Sequence, residues 1–146
     1  MDGLDREIIH LLQRDGRASN AKIAREMSVS EGTVRRRLKR LVEDDVINVI
    51  AVPSMEKMGY GMAALVGVQT DPGSADDIAE KVGLFTEVHY VAVTTGSFDI
   101  FLWVSLTSAE HLGSFLKNQV GVIPGVRRTE TFVNLSTKKK ADGLVL

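Results

Sequence analysis

Ser30-Glu31-Gly32-Thr33-Val34-Arg35-Arg36-Arg37-Leu38-Lys39-Arg40-Leu41-Val42, closed by the acidic Glu43-Asp44-Asp45, decides how the first third of this 146-residue chain folds. Val34, Leu38, Leu41 and Val42 recur at i, i+4, i+7 and i+8, the apolar stripe of a helix that packs on a core. With successive side chains turned by about 100°, the stripe centres near Val34. Arg36 then points almost directly away from the core, flanked by Gly32, Thr33, Lys39 and Arg40. A basic face of this kind, taken alone, reads as a solvated helix surface. Its neighbours change that reading.

Leu4, Ile8, Leu11 and Leu12 give a preceding helix, with Asp2 and Asp5 at its start, where the helix dipole favours them, and Gly16 at its end. Ser19 is a good N-cap for a second helix whose inner face is Ile23, Ala24 and Met27. Ser28-Val29-Ser30 then makes a three-residue turn, and Ser30 caps the basic helix. Two short helices joined by a tight turn and braced by a third are the plan of a helix-turn-helix reader of duplex DNA. The major groove accepts the second helix, with phosphates for its cations and base edges for its short N-terminal residues. Ile47–Val52 is strand-like, a small wing or the bridge to the second half of the chain, and the turn-rich Pro53–Gly61 is the expected linker.

Composition narrows the alternatives. There is no cysteine, which excludes disulfides, thiolate metal sites and cysteine nucleophiles. No apolar run is long enough to span a bilayer, and the N-terminus lacks a signal-peptide core, so a cytoplasmic protein without a membrane partner is expected. The net charge of −1 hides a split. Arg17 to Arg40 holds eight basic residues against two acidic ones, whereas the chain from Gly61 holds seven against nine. Only the first segment offers a positive field to a polyanion.

The remainder contains a pseudo-repeat. Met62–Gln69 reads as a strand, Ser74-x-x-Asp77 as a capping box opening a helix with Ala75, Ile78, Ala79 and Val82 inward, and Glu87–Thr95 as a second strand. After Gly96-Ser97-Phe98-Asp99 the pattern recurs. Strand Ile100–Leu106 is followed by a helix capped at Thr107 or Ser108 with Leu112, Phe115 and Leu116 inward, a Pro124-Gly125 turn, and strand Val126–Leu135. The expected fold class is α+β: a three-helix winged helix-turn-helix over 1–52, a linker over 53–61, a ferredoxin-like βαββαβ domain over 62–137 and a solvated tail over 138–146. Right-handed crossovers put both helices on one side of the sheet. The strands are apolar on both faces, and Phe101 and Trp103 are assigned to the uncovered one, where a second copy of the domain is the economical partner.

These residues, in this order, resemble the Lrp/AsnC family of bacterial and archaeal transcription regulators, the feast/famine regulatory proteins. Leu4-Asp5-x-x-Ile8-x-x-x-Leu12 with Asp15-Gly16-Arg17 matches the family's opening. Ile23-Ala24 and Ser30-x-x-Thr33-Val34-x-x-Arg37-Leu38-x-x-Leu41 match its reading unit, with Val46-Ile47 following. Gly96-x-Phe98-Asp99, Pro124-Gly125-Val126 and Thr129-x-Thr131 match its second domain. The resemblance implies an N-terminal winged helix-turn-helix that binds double-stranded DNA and a C-terminal domain that senses a small effector, in many members an amino acid bound between dimers. It also implies homodimers through that domain, often assembled to octamers.

On this reading Arg36, Lys39 and Arg40 contact phosphates, Gly32 and Thr33 approach base edges, Ser30 caps the helix and donates to a phosphate, and Arg37 lies nearer the buried edge. Gly96 offers backbone N–H groups to an effector carboxylate, and Asp99 offers its carboxylate to an ammonium. Carrying over the family's effector-response positions adds Ala92, Ala109, Phe132, Val133 and Asn134, with alanine at 92 and 109 where larger apolar residues are usual. The plainer reading of Gly96–Asp99 is a hairpin turn in which Asp99 bonds its own backbone. No catalytic motif, metal or cofactor is expected, and His10, His89 and His111 are read as surface or satisfied histidines without an obvious carboxylate partner. Two alternatives stay open: a tetrapyrrole decarboxylase-like enzyme on the same two-domain plan, with His89 its only strand histidine, and a non-specific architectural DNA binder.

Overall fold

The structure is a computed structural model that describes residues 1–138. Residues 139–146, most of the expected tail, lie outside the described residues. The described chain divides between Val52 and Pro53 into two units.

The first unit holds three helices. In α1 (Gly3–Arg14), Asp2 and Asp5 form a reciprocal capping box: Asp2 Oδ1 accepts the Asp5 N–H at 3.0 Å, and Asp5 Oδ2 accepts the Asp2 N–H at 2.9 Å. Ser19 caps α2 (Asn20–Glu26) by accepting the Lys22 N–H at 3.2 Å, and Ser30 caps α3 (Glu31–Glu43) by accepting the Thr33 N–H at 3.1 Å. Between α2 and α3, Ser28 takes a left-handed backbone (φ 54°), which turns Val29 back so that its N–H reaches the Ala24 carbonyl at 3.0 Å. Ile8, Ile9, Leu11, Ile23, Ala24, Val34 and Leu41 form the buried core. Val42, assigned to the inner stripe, is instead exposed at that stripe's edge.

Two expectations for this unit need correcting. α1 ends at Asp15 rather than through a left-handed Gly16; the Asp15 carboxylate accepts the Arg17 N–H and pairs with Lys22 at 2.7 Å, and these contacts hold the turn. Ile47–Val52 is not a strand, so the described residues carry no wing. α3 closes in a Schellman turn, with Asp45 at φ 52° and the Val46 N–H on the Leu41 carbonyl at 2.9 Å. Among the described residues the chain beyond has no strand to pair with, and β-propensity without a ladder leaves it irregular.

The second unit places β1 (Met62–Thr70), α4 (Ala75–Gly83), β2 (Val88–Val93), β3 (Ile100–Leu106), α5 (Ala109–Phe115) and β4 (Val126–Val133) in chain order, with a π-helical turn, Leu116–Val120, continuing α5. The antiparallel sheet runs β2-β3-β1-β4, so β3 is inserted between the two strands that α4 connects. Ala64, Val66, Val68, Ile100, Leu102, Val104 and Leu106 pack under Ile78, Val82, Leu112, Phe115 and Val120. Both helices cover this one face, and Phe101 and Trp103 point to the other.

On that uncovered face the register lines up Tyr90, Trp103, Leu65 and Phe132 in one row across all four strands. Ala92, Phe101, Gly67 and Glu130 form the next. Three aromatics of the first row stay 62, 37 and 46% exposed (Tyr90, Trp103 and Phe132). Ser108 caps α5 by accepting the His111 N–H. At α4 the expected capping box does not form: Ser74 has helical backbone angles, and its side chain lies against Gly125 instead of the helix N-terminus.

Candidate nucleic-acid interface and ligand region

α3 carries its charges in two ways. Gly32, Arg35, Arg36, Lys39 and Arg40 are exposed, Thr33 and Arg37 half-buried. The Ser30 and Thr33 hydroxyls bond each other at 2.8 Å, so the first turn presents a linked hydroxyl pair beside Gly32. Arg35 pairs with Glu31 at 2.8 Å and Lys39 with Glu43 at 3.6 Å, both four residues apart on the open helix surface, where such pairs contribute little. Arg36 has no ion-pair partner among the described residues, which leaves its guanidinium available at the centre of the outward face.

Arg37 and Arg40 behave differently. Asp5 is fully buried and accepts from both, Arg37 Nη1 at 2.9 Å and Arg40 Nη2 at 2.7 Å, while Arg37 Nη1 also reaches the Asp2 carboxylate at 2.6 and 2.7 Å. The Arg37 guanidinium, followed by the Asp5 N–H, holds the Asp2 carboxyl down at about 2. The Asp2 N–H and then Arg37 and Arg40 hold Asp5 below its ordinary value despite burial. Reading one helix at a time assigns Asp2 and Asp5 to the helix dipole and misses this network. The signal lies in the spacing: acids at i and i+3 on one helix face arginines at i and i+3 on another.

In the second unit, the Gly96–Asp99 turn is tied from several sides. Asp99 Oδ2 accepts the Thr70 N–H at 2.7 Å and the Thr70 hydroxyl at 3.3 Å. The Asp99 N–H donates to the Val68 carbonyl, the Thr94 hydroxyl to the Phe98 carbonyl, and the Gln69 amide to the Ser97 carbonyl at 2.7 Å. Asp99 thus straps the turn to β1, which corrects the view of it as bonding its own backbone. Its Oδ1 makes no hydrogen bond among the described residues. Gly96 has φ 108°, and neither its N–H nor those of Ser97 and Phe98 find an acceptor among the described residues.

The positions expected from the sequence to meet an effector do not come together on a single chain. Gly96 and Asp99 lie at the end of the sheet where Val68 pairs with Ile100. Ala109, exposed at the start of α5, and Val133 and Asn134, beside Ala64 and Ala63, lie at the opposite end. The seven-residue β3 separates them by roughly 20 Å. Ala92 and Phe132 occupy the uncovered face between, and Val133 is turned to the helix side. Sequence reading overlooked the Phe98 ring, which lies over Gly67 and makes edge contacts with Phe101 and Phe132 at 5.5 and 6.4 Å. His111, read as having no carboxylate partner, sits 3.6 Å from Glu87 and 3.2 Å from the Thr107 hydroxyl. His10 and His89 are exposed. No helix among the described residues is long and apolar enough to cross a membrane.

A model of the AsnC-type helix-turn-helix domain matches residues 1–42, and one of the Lrp/AsnC ligand binding domain matches residues 63–144. The chain belongs to the Lrp/AsnC family. This Lrp/AsnC protein is 37% identical over 140 residues to an uncharacterised HTH-type transcriptional regulator of Pyrococcus furiosus, covering 95% of each chain. It is 34% identical over 145 residues to the HTH-type transcriptional regulator FL11 of Pyrococcus abyssi, covering 99% of this chain and 95% of that one. Its fold superposes on Escherichia coli AsnC with a TM-score of 0.89 at 25% identity, over 96% of this chain and 95% of that one. A Neisseria meningitidis transcriptional regulator in complex with L-Met gives a TM-score of 0.90 at 25% identity, over 99% and 96% of the chains. This Lrp/AsnC protein is therefore a transcriptional regulator with a ligand-binding domain, and the decarboxylase alternative falls.

Proposed function

We propose that this regulator binds specific duplex sequences through α3, as a homodimer joined at the uncovered sheet face, and that an amino acid modulates its assembly or DNA affinity. The observation that carries the DNA reading is the outward edge of α3. There Gly32 and the Ser30–Thr33 hydroxyl pair adjoin Arg36, a cation with no acid holding it among the described residues. Short N-terminal residues approach base edges, and Arg36 and Lys39 anchor phosphates. Arg40 contributes only to the extent that it leaves Asp5.

The row Tyr90–Trp103–Leu65–Phe132 supports the dimer, since an exposed apolar row continuous over four strands favours a self-complementary partner, with an expected buried area of about 2,000 Å². For the effector, the free N–H groups at Gly96–Phe98 and the open Oδ1 of Asp99 suit a carboxylate and an ammonium, and the L-Met complex of the Neisseria regulator suggests the ligand class. Octamers would follow from dimers meeting at that site.

The test uses a duplex selected by the protein from a random pool and a scrambled duplex of equal length. Arg36→Ala should weaken binding to both and reduce the salt slope by about one, while Thr33→Ala should change preference between sequences. Wild-type binding by both variants would show that α3 is not the reader. Equal wild-type affinity for the two duplexes would instead identify an architectural binder.

A further inference from the structure

We propose that Asp5 is a positioning residue for DNA recognition, an orientation lock that fixes α3 and withholds Arg37 and Arg40 from non-specific phosphate contacts. The proposal rests on the reading of α3 as the DNA-facing helix. Asp5 is the buried charged residue of the first unit, and every oxygen it has is occupied: Oδ1 by Arg37, and Oδ2 by Arg40 and by the Asp2 N–H. Its partners lie 32 and 35 residues away, on successive turns of α3, so one carboxylate fixes both the rotation and the axial position of that helix against α1. The apolar contact alone does not. Val34 and Leu41 give a smooth stripe along which a helix tolerates small rotations, whereas two charge-assisted bonds to one buried carboxylate do not.

The same contacts set the electrostatics. Arg37 and Arg40 face Asp2 and Asp5, so this cluster of two cations and two anions is neutral. With Arg37 and Arg40 facing acids, the basic run presents less free charge than its sequence suggests; what is left centres on Arg36, flanked by Arg35 and Lys39, whose pairs on the open surface are weak. Non-specific affinity scales with the phosphates neutralised, so neutralising Arg37 and Arg40 lowers the background against which Thr33 and Gly32 discriminate. A polar residue at position 5 would release Arg40, leave Arg37 held by Asp2 alone, and loosen the presentation of the base-reading turn at once.

The experiment compares full-length wild type, Asp5→Asn, and Asp5→Asn/Arg40→Gln on the selected and scrambled duplexes across a salt series. Asp5→Asn should steepen the salt slope by about one, and reduce the ratio of selected to scrambled affinity on the order of tenfold, a mismatched base pair's worth of discrimination. The double variant should return the slope to the wild-type value, because the released cation is gone. A merely structural role would lower the active fraction equally on both duplexes and leave ratio and slope unmoved. An unchanged ratio and slope in Asp5→Asn, with Arg36→Ala still weakening binding, would overturn the lock and keep the reader helix. Wild-type binding by Arg36→Ala would remove the reader itself. Should Asp5→Asn not fold, Arg40→Gln alone tests the withholding. An unchanged salt slope supports the lock, because that cation is already held by Asp5, and a slope shallower by about one overturns it.

Discussion

On the proposed reading, Asp99 divides a structural duty from a ligand duty between its two carboxylate oxygens. Its Oδ2 accepts the N–H of Thr70, a buried residue at the end of β1, at 2.7 Å, and its Oδ1 has no hydrogen bond among the described residues. In Asp99→Asn the amide oxygen must take the Thr70 side, because an NH₂ group cannot accept a hydrogen bond, and the NH₂ then occupies the Oδ1 position. The strap survives as a neutral bond and the fold loses at most ~1 kcal/mol. An effector ammonium, however, would meet a donor where it needs an acceptor. In Asp99→Ala the Thr70 N–H is left without its partner, at a cost of about 2 kcal/mol, or on the order of 10 °C in the melting temperature of a domain this size. Differential scanning fluorimetry against the twenty amino acids reads both effects. Wild type should show a stabilising ligand, Asp99→Asn should melt near wild type without responding to it, and Asp99→Ala should melt well below. An Asp99→Asn protein that keeps the full ligand-induced shift would leave Asp99 as a strap alone. An Asp99→Ala protein as stable as wild type would refute the strap.

A Cβ at Gly67 would sit 2.7 Å from the Phe98 ring, which Phe101 and Phe132 hold in place, so Gly67→Ala should destabilise by about 1–2 kcal/mol in denaturant titration. In a Phe98→Ala background the same change should be neutral or stabilising, and absence of that sign change would contradict the packing. Trp103→Glu places a charge in the middle of the exposed row and should yield monomers by light scattering; a wild-type protein that is already monomeric at micromolar concentration would end the dimer proposal. The folded-state pKa of Asp2 lies at about 2, below its ordinary 3.8, so its contribution is present above about pH 4 and is lost as pH falls toward 2. Circular dichroism melts over that window should fall more steeply for wild type than for Asp2→Asn, and parallel curves would show that the Arg37 contact adds nothing.

Features set by a single element were legible in the sequence, and features made by distant pairs were not. Val34 and Leu41 are buried where a 3.6-residue period puts them, and Ile100–Leu106 is a strand with its even-numbered residues inward, because periodicity needs only one element and a core. Ser19 and Ser30 cap as their residue type and position require. Ile47–Val52 has the composition of a strand, but a strand exists only with a partner, and no local rule supplies one. Asp5 looks like a dipole partner until Arg37 and Arg40 arrive from 32 and 35 residues away. Gly67 gives no sign of its role, which depends on a ring 31 positions later folding back across β1. Ser74 fails as a cap for a similar reason, since Gly125 leaves the space its side chain occupies.

The dispersal of the proposed effector positions constrains how any response would work. Asp99 and the open N–H groups of Gly96–Phe98 stand at one end of the sheet, and Ala109, Val133 and Asn134 at the other, with β3 between them. An amino acid is far too short to bridge roughly 20 Å, so a ligand that engages both sets must lie where one copy's Asp99 end meets another copy's Asn134 end. On a single protomer the Asp99 end is an open turn, and an exposed ion pair there is worth only ~0–1 kcal/mol, too little for useful affinity. The missing free energy has to come from closing the site between copies, which excludes water and adds contacts from the second set. Ligand binding and assembly are then one equilibrium. By linkage, an effector that prefers the closed arrangement drives assembly by the same factor that assembly raises its affinity. Substitutions at Ala109 or Asn134 should therefore change ligand response and oligomer distribution together, whereas changes in the Asp5 network should alter DNA discrimination and leave both untouched.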